Sequence, residues 1–203
     1  MPARTPATTL PESLTDLSAF TALWQAHQPR DDTPYRPREW QAATAIVIAP
    51  DDTNRLHFSV IKRVQRSGDP WSGQMALPGG KRDRNDDTLA VTARRETYEE
   101  VGLELPEPLG GLPPSRRRSA PGTLATYVFC LPHMPALTPQ VTEVAAAWWC
   151  PVSHLIDPAC QIRYRSAGVS RPALAFANEP IWGLTYRTLM TFAACHDILL
   201  PDD

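Results

Sequence analysis

The sequence predicts an α/β fold in which most of the chain forms one domain. Residues 43–49 and 57–63 are β-branched runs separated by a polar loop, which is typical of a strand pair. Residues 88–101 have the apolar spacing of a helix, with Gly102 directly after its last turn. Later apolar runs alternate with loops before a final helix at 185–194. A chain of 203 residues would bury roughly 70% of its unfolded surface as one domain, which is enough for a stable core.

The residues before the first strand form an extension. Apolar side chains recur at helical spacing in residues 11–27: Leu14, Leu17, Phe20, Leu23 and Trp24. We expect an amphipathic helix that packs on the domain or on a partner subunit, and a homodimer through this helix stays open. The predicted organisation is an N-terminal extension at 1–35 and the main domain at 36–203.

A Pro-Gly-Gly turn at residues 78–80 connects the first strands to the helix at 88–101. Residues 73–77 are short enough for a strand that leads into this turn. The polar segment that follows ends in Asp86 and Asp87, which predict an acidic cap at the start of the helix. The local order is therefore strand, turn, loop and helix.

Glu96, Glu99 and Glu100 place three carboxylates on one face of the helix, because they lie at i, i+3 and i+4. Like charges at these spacings repel, and hard cations such as Mg²⁺ or Mn²⁺ would turn the repulsion into coordination. For this short motif alone, a solvated acidic helix face is the simpler interpretation. The neighbouring stripe is small and mostly apolar, so it can pack against a sheet: Ala90, Ala93, Thr97 and Val101.

The second half of the chain predicts further strands at 124–131, 143–151, 162–165 and 173–176, with a short turn or helix at 152–156. Trp148 and Trp149 are expected to be packed, although one of them could wall a base-binding pocket. The four cysteines have no paired close spacing, which favours packed thiols over a zinc site: Cys130, Cys150, Cys160 and Cys195.

Composition and motifs exclude several classes of function. A charged fraction of 21% and a net charge of −2 argue against bulk binding to nucleic acid or to a membrane surface. There is no apolar run of transmembrane length and no secretory signal at the start, so we expect a soluble, cytoplasmic protein. No Gly-x-Ser-x-Gly elbow, Walker loop or dinucleotide fingerprint occurs.

In its ordered context, the carboxylate motif resembles the signature of the Nudix hydrolase family. The matching positions are Gly80, Asp86 or Asp87, Arg95, Glu96, Thr97, Glu99, Glu100, Gly102 and Leu103. The chain departs from the usual signature in two ways. The gap from Gly80 to Arg95 is one residue longer, so that either aspartate could fill the acidic position, and Thr97 stands where an aliphatic residue is usual.

The resemblance implies an α/β/α sandwich around a mixed β-sheet, with the acidic helix on one side and the C-terminal helix on the other. It implies metal-dependent hydrolysis of a phosphoanhydride bond, with Mg²⁺ or Mn²⁺ held by the motif glutamates and the Gly80 carbonyl. Arg95 would pair with one of these carboxylates and orient it. The general base stays open between Glu99, Glu100 and Glu143, the last lying in the loop before a strand.

The segment upstream of the helix resembles the additional signature of the coenzyme A pyrophosphatase branch. The matches are Arg63, Gly73, Gln74, Pro78, Gly79 and Gly80, while Ile61, Trp71, Ser72 and Leu77 depart from it. We therefore expect cleavage of coenzyme A or acyl-coenzyme A to adenosine 3',5'-bisphosphate and a 4'-phosphopantetheine product. Arg63, Gln74 and Lys81 are the candidate substrate-binding residues.

Two other functions stay open at this point. The first is a pyrophosphatase for nucleoside triphosphates or for another nucleoside diphosphate derivative, such as ADP-ribose or NADH. The second is a protein that senses a nucleotide without turnover, although the presence of all three motif glutamates argues against it.

Overall fold

A computed structural model describes residues 9–27, 33–116 and 122–201. Its helices are α1 (Leu17–Gln25), α2 (Leu89–Val101) and α3 (Gly183–Ala194), with short 3₁₀ turns at Glu12–Leu14 and Val152–Leu155. Its strands are β1 (Trp40–Pro50), β2 (Leu56–Arg63), β3 (Met75–Ala76), β4 (Gly79–Lys81), β5 (Gly110–Arg116), β6 (Gly122–Cys130), β7 (Val144–Pro151), β8 (Gln161–Ser166), β9 (Val169–Phe176) and β10 (Glu179–Trp182).

The main sheet is mixed and has seven strands. Its path runs β3-β2-β1-β6-β5, with β4 paired to β1 and β7 paired to β2. The central pair β1 and β6 is parallel, whereas the other pairs are antiparallel. β4 pairs with Ala42–Thr44 of β1 and β2 pairs with Ile48–Pro50, so the two share one side of β1. The segment predicted as a turn at 78–80 is therefore in part a strand, β4, and it lies beside the middle of the sheet.

Alternate residues of β1 face two hydrophobic cores, which makes the molecule an α/β/α sandwich. Ile46 and Ile48 pack in a cluster that contains buried residues of α1 and α3. Ala45 and Val47 pack in the other cluster, with residues of α2. The predicted fold class is confirmed, and α2 and α3 lie on opposite faces of the sheet as expected.

The N-terminal helix is shorter than the predicted span of 11–27. A 3₁₀ turn precedes it, and the helix starts after Asp16, whose carboxylate accepts a hydrogen bond from the Ala19 amide at 2.8 Å. Phe20 and Trp24 are fully buried in the core beside α3. The helix therefore packs on the domain, which is one of the two positions expected from the sequence.

Three strands were not predicted from the sequence, and the first of them, β4, occupies part of the predicted turn at 78–80. β5 lies in a Pro-rich segment at the edge of the sheet, and its pairing with β6 shifts register between Leu112 and Ser115, around Pro113 and Pro114. β10 contains Pro180 and is an edge of the second, three-stranded sheet, β10-β9-β8. Proline is tolerated at edges and bulges because no neighbour needs its missing N–H.

The cysteines are free thiols, as expected, and Cys150 is buried. Burial raises the pKa of the Cys150 thiol well above its usual range. No helix in the described residues is long and apolar enough to cross a membrane.

Candidate active site and its flanking cavities

The helix that carries the three motif glutamates is fixed by its first and last residues. Thr88 is the N-cap, and its hydroxyl accepts a hydrogen bond from the Val91 amide at 3.2 Å. Gly102 ends the helix as predicted. The expectation of an acidic cap is wrong, because the carboxylate of Asp86 is engaged by Arg95 and Thr92 instead.

The glycine turn is pressed between β1 and α2. Gly79 has φ +147°, and a Cβ there would lie 2.3 Å from the carbonyl oxygen of Ala43. A Cβ on Gly80 would lie 2.3 Å from Oε2 of Glu96. Only glycine allows this approach, which brings the Glu96 carboxylate directly against the turn.

The three glutamates differ strongly in their surroundings. The side chains of Glu96 and Glu99 are 15% and 54% exposed, whereas Glu100 is buried and its Oε2 accepts a hydrogen bond from the Gly79 amide at 2.8 Å. Burial raises the pKa of Glu100 to about 8 despite that hydrogen bond, and the negative charge of Glu96 adds to the rise. Burial also raises the pKa of Glu96.

Arg95 connects the loop to the helix. Its guanidinium donates to both carboxylate oxygens of Asp86 at 3.0 and 2.8 Å, and to Glu96 and Glu99 at 2.9 Å each. Burial by itself would raise the pKa of Asp86, but hydrogen bonds from Arg95, the Asp83 amide and Thr92 outweigh it and hold the pKa below its usual value. Asp86 is thus the aspartate that contacts Arg95, while Asp87 is exposed.

The glutamates are not arranged as a complete metal-coordination site. Within the ranges described, no group of three or more His, Cys, Asp or Glu side chains is arranged to hold a metal ion. Arg95 holds Glu96 and Glu99, and the Gly79 amide holds Glu100. The donors nevertheless fit a hard divalent cation, because they are carboxylate oxygens and the Gly80 backbone lies against Glu96.

Glu143 directly precedes β7 and lies near this group. Its charge contributes to the raised pKa values of Glu96 and Glu100. Its side chain is 52% exposed, and Oε1 lies 3.9 Å from Nη2 of Arg66. The residue proposed from sequence as one of three candidate bases is therefore close enough to act electrostatically on the motif glutamates.

A cavity of about 610 Å³, hereafter the large cavity, opens beside Gly79 and Gly80. Arg63, Gln74 and Lys81, the three predicted substrate-binding residues, all line it. Nη2 of Arg63 donates to Asp69 at 3.0 Å, whereas its buried Nε has no hydrogen-bond partner. A buried donor that lacks a partner beside a cavity can donate a hydrogen bond to an anionic ligand.

The aromatic residues of the large cavity were missed by the sequence analysis. They are Trp40, Trp71 and Trp182. Trp148 and Trp149 line neither of the two cavities described, since Trp148 packs on Phe176 and the indole of Trp149 donates to the Pro135 carbonyl. No local pattern distinguishes a cavity tryptophan from a packed one, so the sequence offered no signal.

A second cavity of about 380 Å³, hereafter the small cavity, lies next to Glu96 and shares Lys81 with the large one. It is lined by Tyr35, Arg36, Pro37, Glu39, Gln41, Lys81, Arg82, Asp83, Arg84, Arg95 and Glu96. No local pattern predicts this cavity, because its wall combines the segment before β1 with the loop before α2.

A family model for the NUDIX domain matches residues 39–167. The chain belongs to the Nudix hydrolase family, in agreement with its fold and its glutamate motif. It is 33% identical over 184 residues to an uncharacterized Nudix hydrolase, NudL, of Yersinia pestis, covering 83% of this chain and 89% of that protein. It is 42% identical over 134 residues to an uncharacterized protein of Schizosaccharomyces pombe, covering 62% of this chain but only 39% of that protein.

Among solved structures, a MutT/nudix family protein from Enterococcus faecalis superposes with a TM-score of 0.52 at 17% identity, covering 84% of this chain and 62% of that chain. This likeness concerns the fold alone. The family match ends within the β8–β9 turn, so β10 and α3 lie beyond it. These two elements contribute Trp182, Leu184, Thr185 and Arg187 to the large cavity.

Proposed function

We propose that the protein hydrolyses a phosphoanhydride bond in a nucleoside diphosphate derivative. The observation that carries the proposal is the position of the Glu96 carboxylate, which lines the small cavity and lies against Gly80 of the large one, and both cavities contain basic residues. Glu96, Glu99, Glu100 and the Gly80 carbonyl would hold Mg²⁺ or Mn²⁺. Such an ion neutralises anhydride oxygens and lowers the pKa of a bound water.

The protein's own groups have separate roles in this proposal. Arg95 orients Glu96 and Glu99, to which it already donates hydrogen bonds. Arg63 and Lys81 contact the negative charge of the substrate from the large cavity. Glu143 is our candidate for the group that accepts the proton of the attacking water, with Glu99 and Glu100 as the alternatives.

Coenzyme A or an acyl derivative is the substrate that we favour. The motif that suggested it includes Arg63 and Gln74, and both side chains line the large cavity. That cavity also has an apolar part, formed by Met75, Leu77 and Leu184, which suits a pantetheine or acyl arm. Nucleoside triphosphates, ADP-ribose and NADH are the alternative substrates, since Arg63 and Lys81 can contact any phosphate.

The test is product identification with the purified chain in Mg²⁺ and then in Mn²⁺. The panel contains coenzyme A, acetyl-coenzyme A, ADP-ribose, NADH and nucleoside triphosphates, with Glu99→Gln as the inactive control. We expect adenosine 3',5'-bisphosphate from coenzyme A and its loss in the variant. If only a nucleotide yields products, that nucleotide replaces coenzyme A as the proposed substrate. Absence of metal-dependent turnover on the whole panel would favour nucleotide sensing.

Chelation separates the role of the metal from that of the fold. With excess EDTA we expect turnover to fall to background and to return when Mg²⁺ is added in excess over the chelator. Circular dichroism should meanwhile show an unchanged secondary structure, because the two cores are built from hydrophobic side chains and not from the proposed metal ligands. Turnover that persists in EDTA would contradict the assignment of the glutamates as metal ligands.

A further inference from the structure

The small cavity has features of a binding site that the cleavage reaction alone does not require. It adjoins Glu96, and it shares only Lys81 with the lining of the large cavity. Its wall is polar and contains five cationic side chains, Arg36, Lys81, Arg82, Arg84 and Arg95, and three acidic ones, Glu39, Asp83 and Glu96. A substrate bound at Glu96 could therefore extend into two spaces of different chemistry.

Arg82 is the buried cation of this wall. It is 5% exposed, and its guanidinium donates to the carbonyl oxygens of Asp86, Thr33 and Asp87 at 3.1, 2.9 and 2.6 Å. It forms no ion pair with any carboxylate in residues 9–27, 33–116 and 122–201. A buried cation whose partners among the described residues are all neutral acceptors would be stabilised by an anion in the adjoining space.

The other cations of the small cavity are not all neutralised. Arg36 pairs with Glu39 at 2.9 Å, and Arg95 is engaged by Asp86, Glu96 and Glu99. Lys81 and Arg84 are exposed and make no ion pair within the described residues. The ring centroid of Tyr35 lies 5.7 Å from Cζ of Arg82, within the range of a cation–π contact.

We propose that the small cavity binds a phosphate monoester that the substrate carries apart from the anhydride to be cleaved. The inference rests on the proposed function for the position of the anhydride at Glu96. A phosphate monoester fits because it carries close to two negative charges and several acceptor oxygens, which match the charge of Arg82 and the forked donors of the exposed Arg84. An anhydride phosphate alone would need no such second group of cations.

Binding measurements test the subsite without turnover. Isothermal titration calorimetry with the full chain compares adenosine 3',5'-bisphosphate with adenosine 5'-monophosphate, which differ by one phosphate monoester. We expect the bisphosphate to bind about tenfold more tightly, the value for one additional charge-assisted hydrogen bond. Equal affinities of the two ligands would overturn the proposal.

Three variants locate the effect. Arg84→Gln should reduce the preference for the bisphosphate to about twofold or less while leaving the affinity for the monophosphate unchanged. Lys81→Gln should weaken the binding of both ligands, because Lys81 lines both cavities. Arg165→Gln removes an exposed arginine outside both cavities and should change neither affinity. If Arg84→Gln lowers the affinity for both ligands equally, the small cavity binds the anhydride phosphates instead.

Kinetics then separate the subsite from the reaction. If coenzyme A is cleaved, its kcat/KM should exceed that of 3'-dephospho-coenzyme A about tenfold, and Arg84→Gln should remove the difference. If no anhydride is cleaved but the bisphosphate preference persists, the proposed reaction fails and the subsite stands. If both compounds are cleaved equally well and the bisphosphate preference is absent, the reaction stands and the subsite fails.

Discussion

At the scale of single residues, the site depends on one arginine and two glycines. Arg95 joins a buried aspartate to two motif glutamates, so one guanidinium fixes the loop and the helix face together. Its hydrogen bond to Asp86 raises the pKa of Arg95 further above its usual range. Gly79 and Gly80 allow the turn to touch β1 and Glu96. Each of these contacts can be removed by one substitution.

Asp86→Asn tests the buried ion pair. Asp86 is 4% exposed and accepts from Arg95 twice, so loss of its charge leaves the guanidinium partly unpaired. We expect a loss of about 3 kcal/mol in the free energy of unfolding, measured by urea denaturation. Asp87→Asn is the matched control and should change it by less than about 0.5 kcal/mol, because Asp87 is exposed. Equal effects of the two variants would contradict the assignment of Asp86.

Gly80→Ala tests the contact of the turn with Glu96. The added Cβ would lie 2.3 Å from Oε2, so the Glu96 carboxylate must move. We expect kcat to fall at least about tenfold, since small displacements of a catalytic group have effects of this size. Circular dichroism and the melting temperature report whether the fold survives. Unchanged kcat in the folded variant would show that the position of Glu96 is not critical.

At the scale of elements, α1 is attached to the end of α3 through His196. The indole N–H of Trp24 donates to Nε2 of His196 at 3.0 Å, and Nδ1 lies 2.8 Å from the hydroxyl of Ser13. Nε2 must be an acceptor, so the hydrogen bonds require the neutral imidazole with its proton on Nδ1. Burial lowers the pKa of His196 to about 4, and the charge of His27 contributes to the decrease.

This lowered pKa predicts a specific dependence of stability on pH. Because the folded state disfavours protonation of His196, the unfolded state binds more protons as the pH falls below about 6.5. Stability is therefore lost as the pH falls from about 6.5 to about 4, by about 3 kcal/mol at most. The measurement is urea denaturation at a series of pH values.

His196→Gln isolates this contribution, because an amide oxygen can still accept from Trp24 but does not titrate. The variant should lose less stability than the native protein between pH 6.5 and 4. His133→Gln removes an exposed histidine and should keep the native slope. Identical slopes for His196→Gln and the native protein would show that His196 does not link α1 docking to pH.

At the scale of the whole molecule, the large cavity is assembled from distant parts of the chain. Arg63 and Gln74 approach it from the main sheet and the following loop, while Trp182 and Arg187 come from β10 and α3. Lys62 of β2 pairs with Glu179 of β10, which connects the main sheet to the smaller one. The described part of the extension predicted as residues 1–35 likewise supplies core residues through α1.

Trp182→Ala tests the contribution of the C-terminal segment to the cavity. The substitution removes an aromatic wall that is remote from the motif glutamates in sequence. We expect KM to rise about fivefold or more, with kcat within about twofold, because the indole would cover part of the pantetheine or acyl arm and each CH₂ group kept from water is worth about 0.8 kcal/mol. Trp182→Phe should restore most of the affinity. A fall in kcat without a change in KM would place Trp182 in the chemical step instead.

The sequence by itself determined the elements that local patterns encode. The β-branched runs fixed β1 and β2, and the apolar stripe with Gly102 fixed α2. The spacing of Glu96, Glu99 and Glu100 placed three carboxylates on one helix face, and the residues around them carried the family resemblance that implies a metal site. These properties depend on neighbours within a few residues, where strand and helix periodicity act.

Only the tertiary structure decided how these parts meet. In the folded chain Asp86, and not Asp87, contacts Arg95. Glu96, Glu99 and Glu100 differ in burial, and Arg82 is buried beside the small cavity. The tertiary structure also brought tryptophans from three separate segments to the large cavity and left Trp148 and Trp149 outside it. Burial and cavity walls arise from contacts between segments far apart in the chain, and no local pattern carries that information.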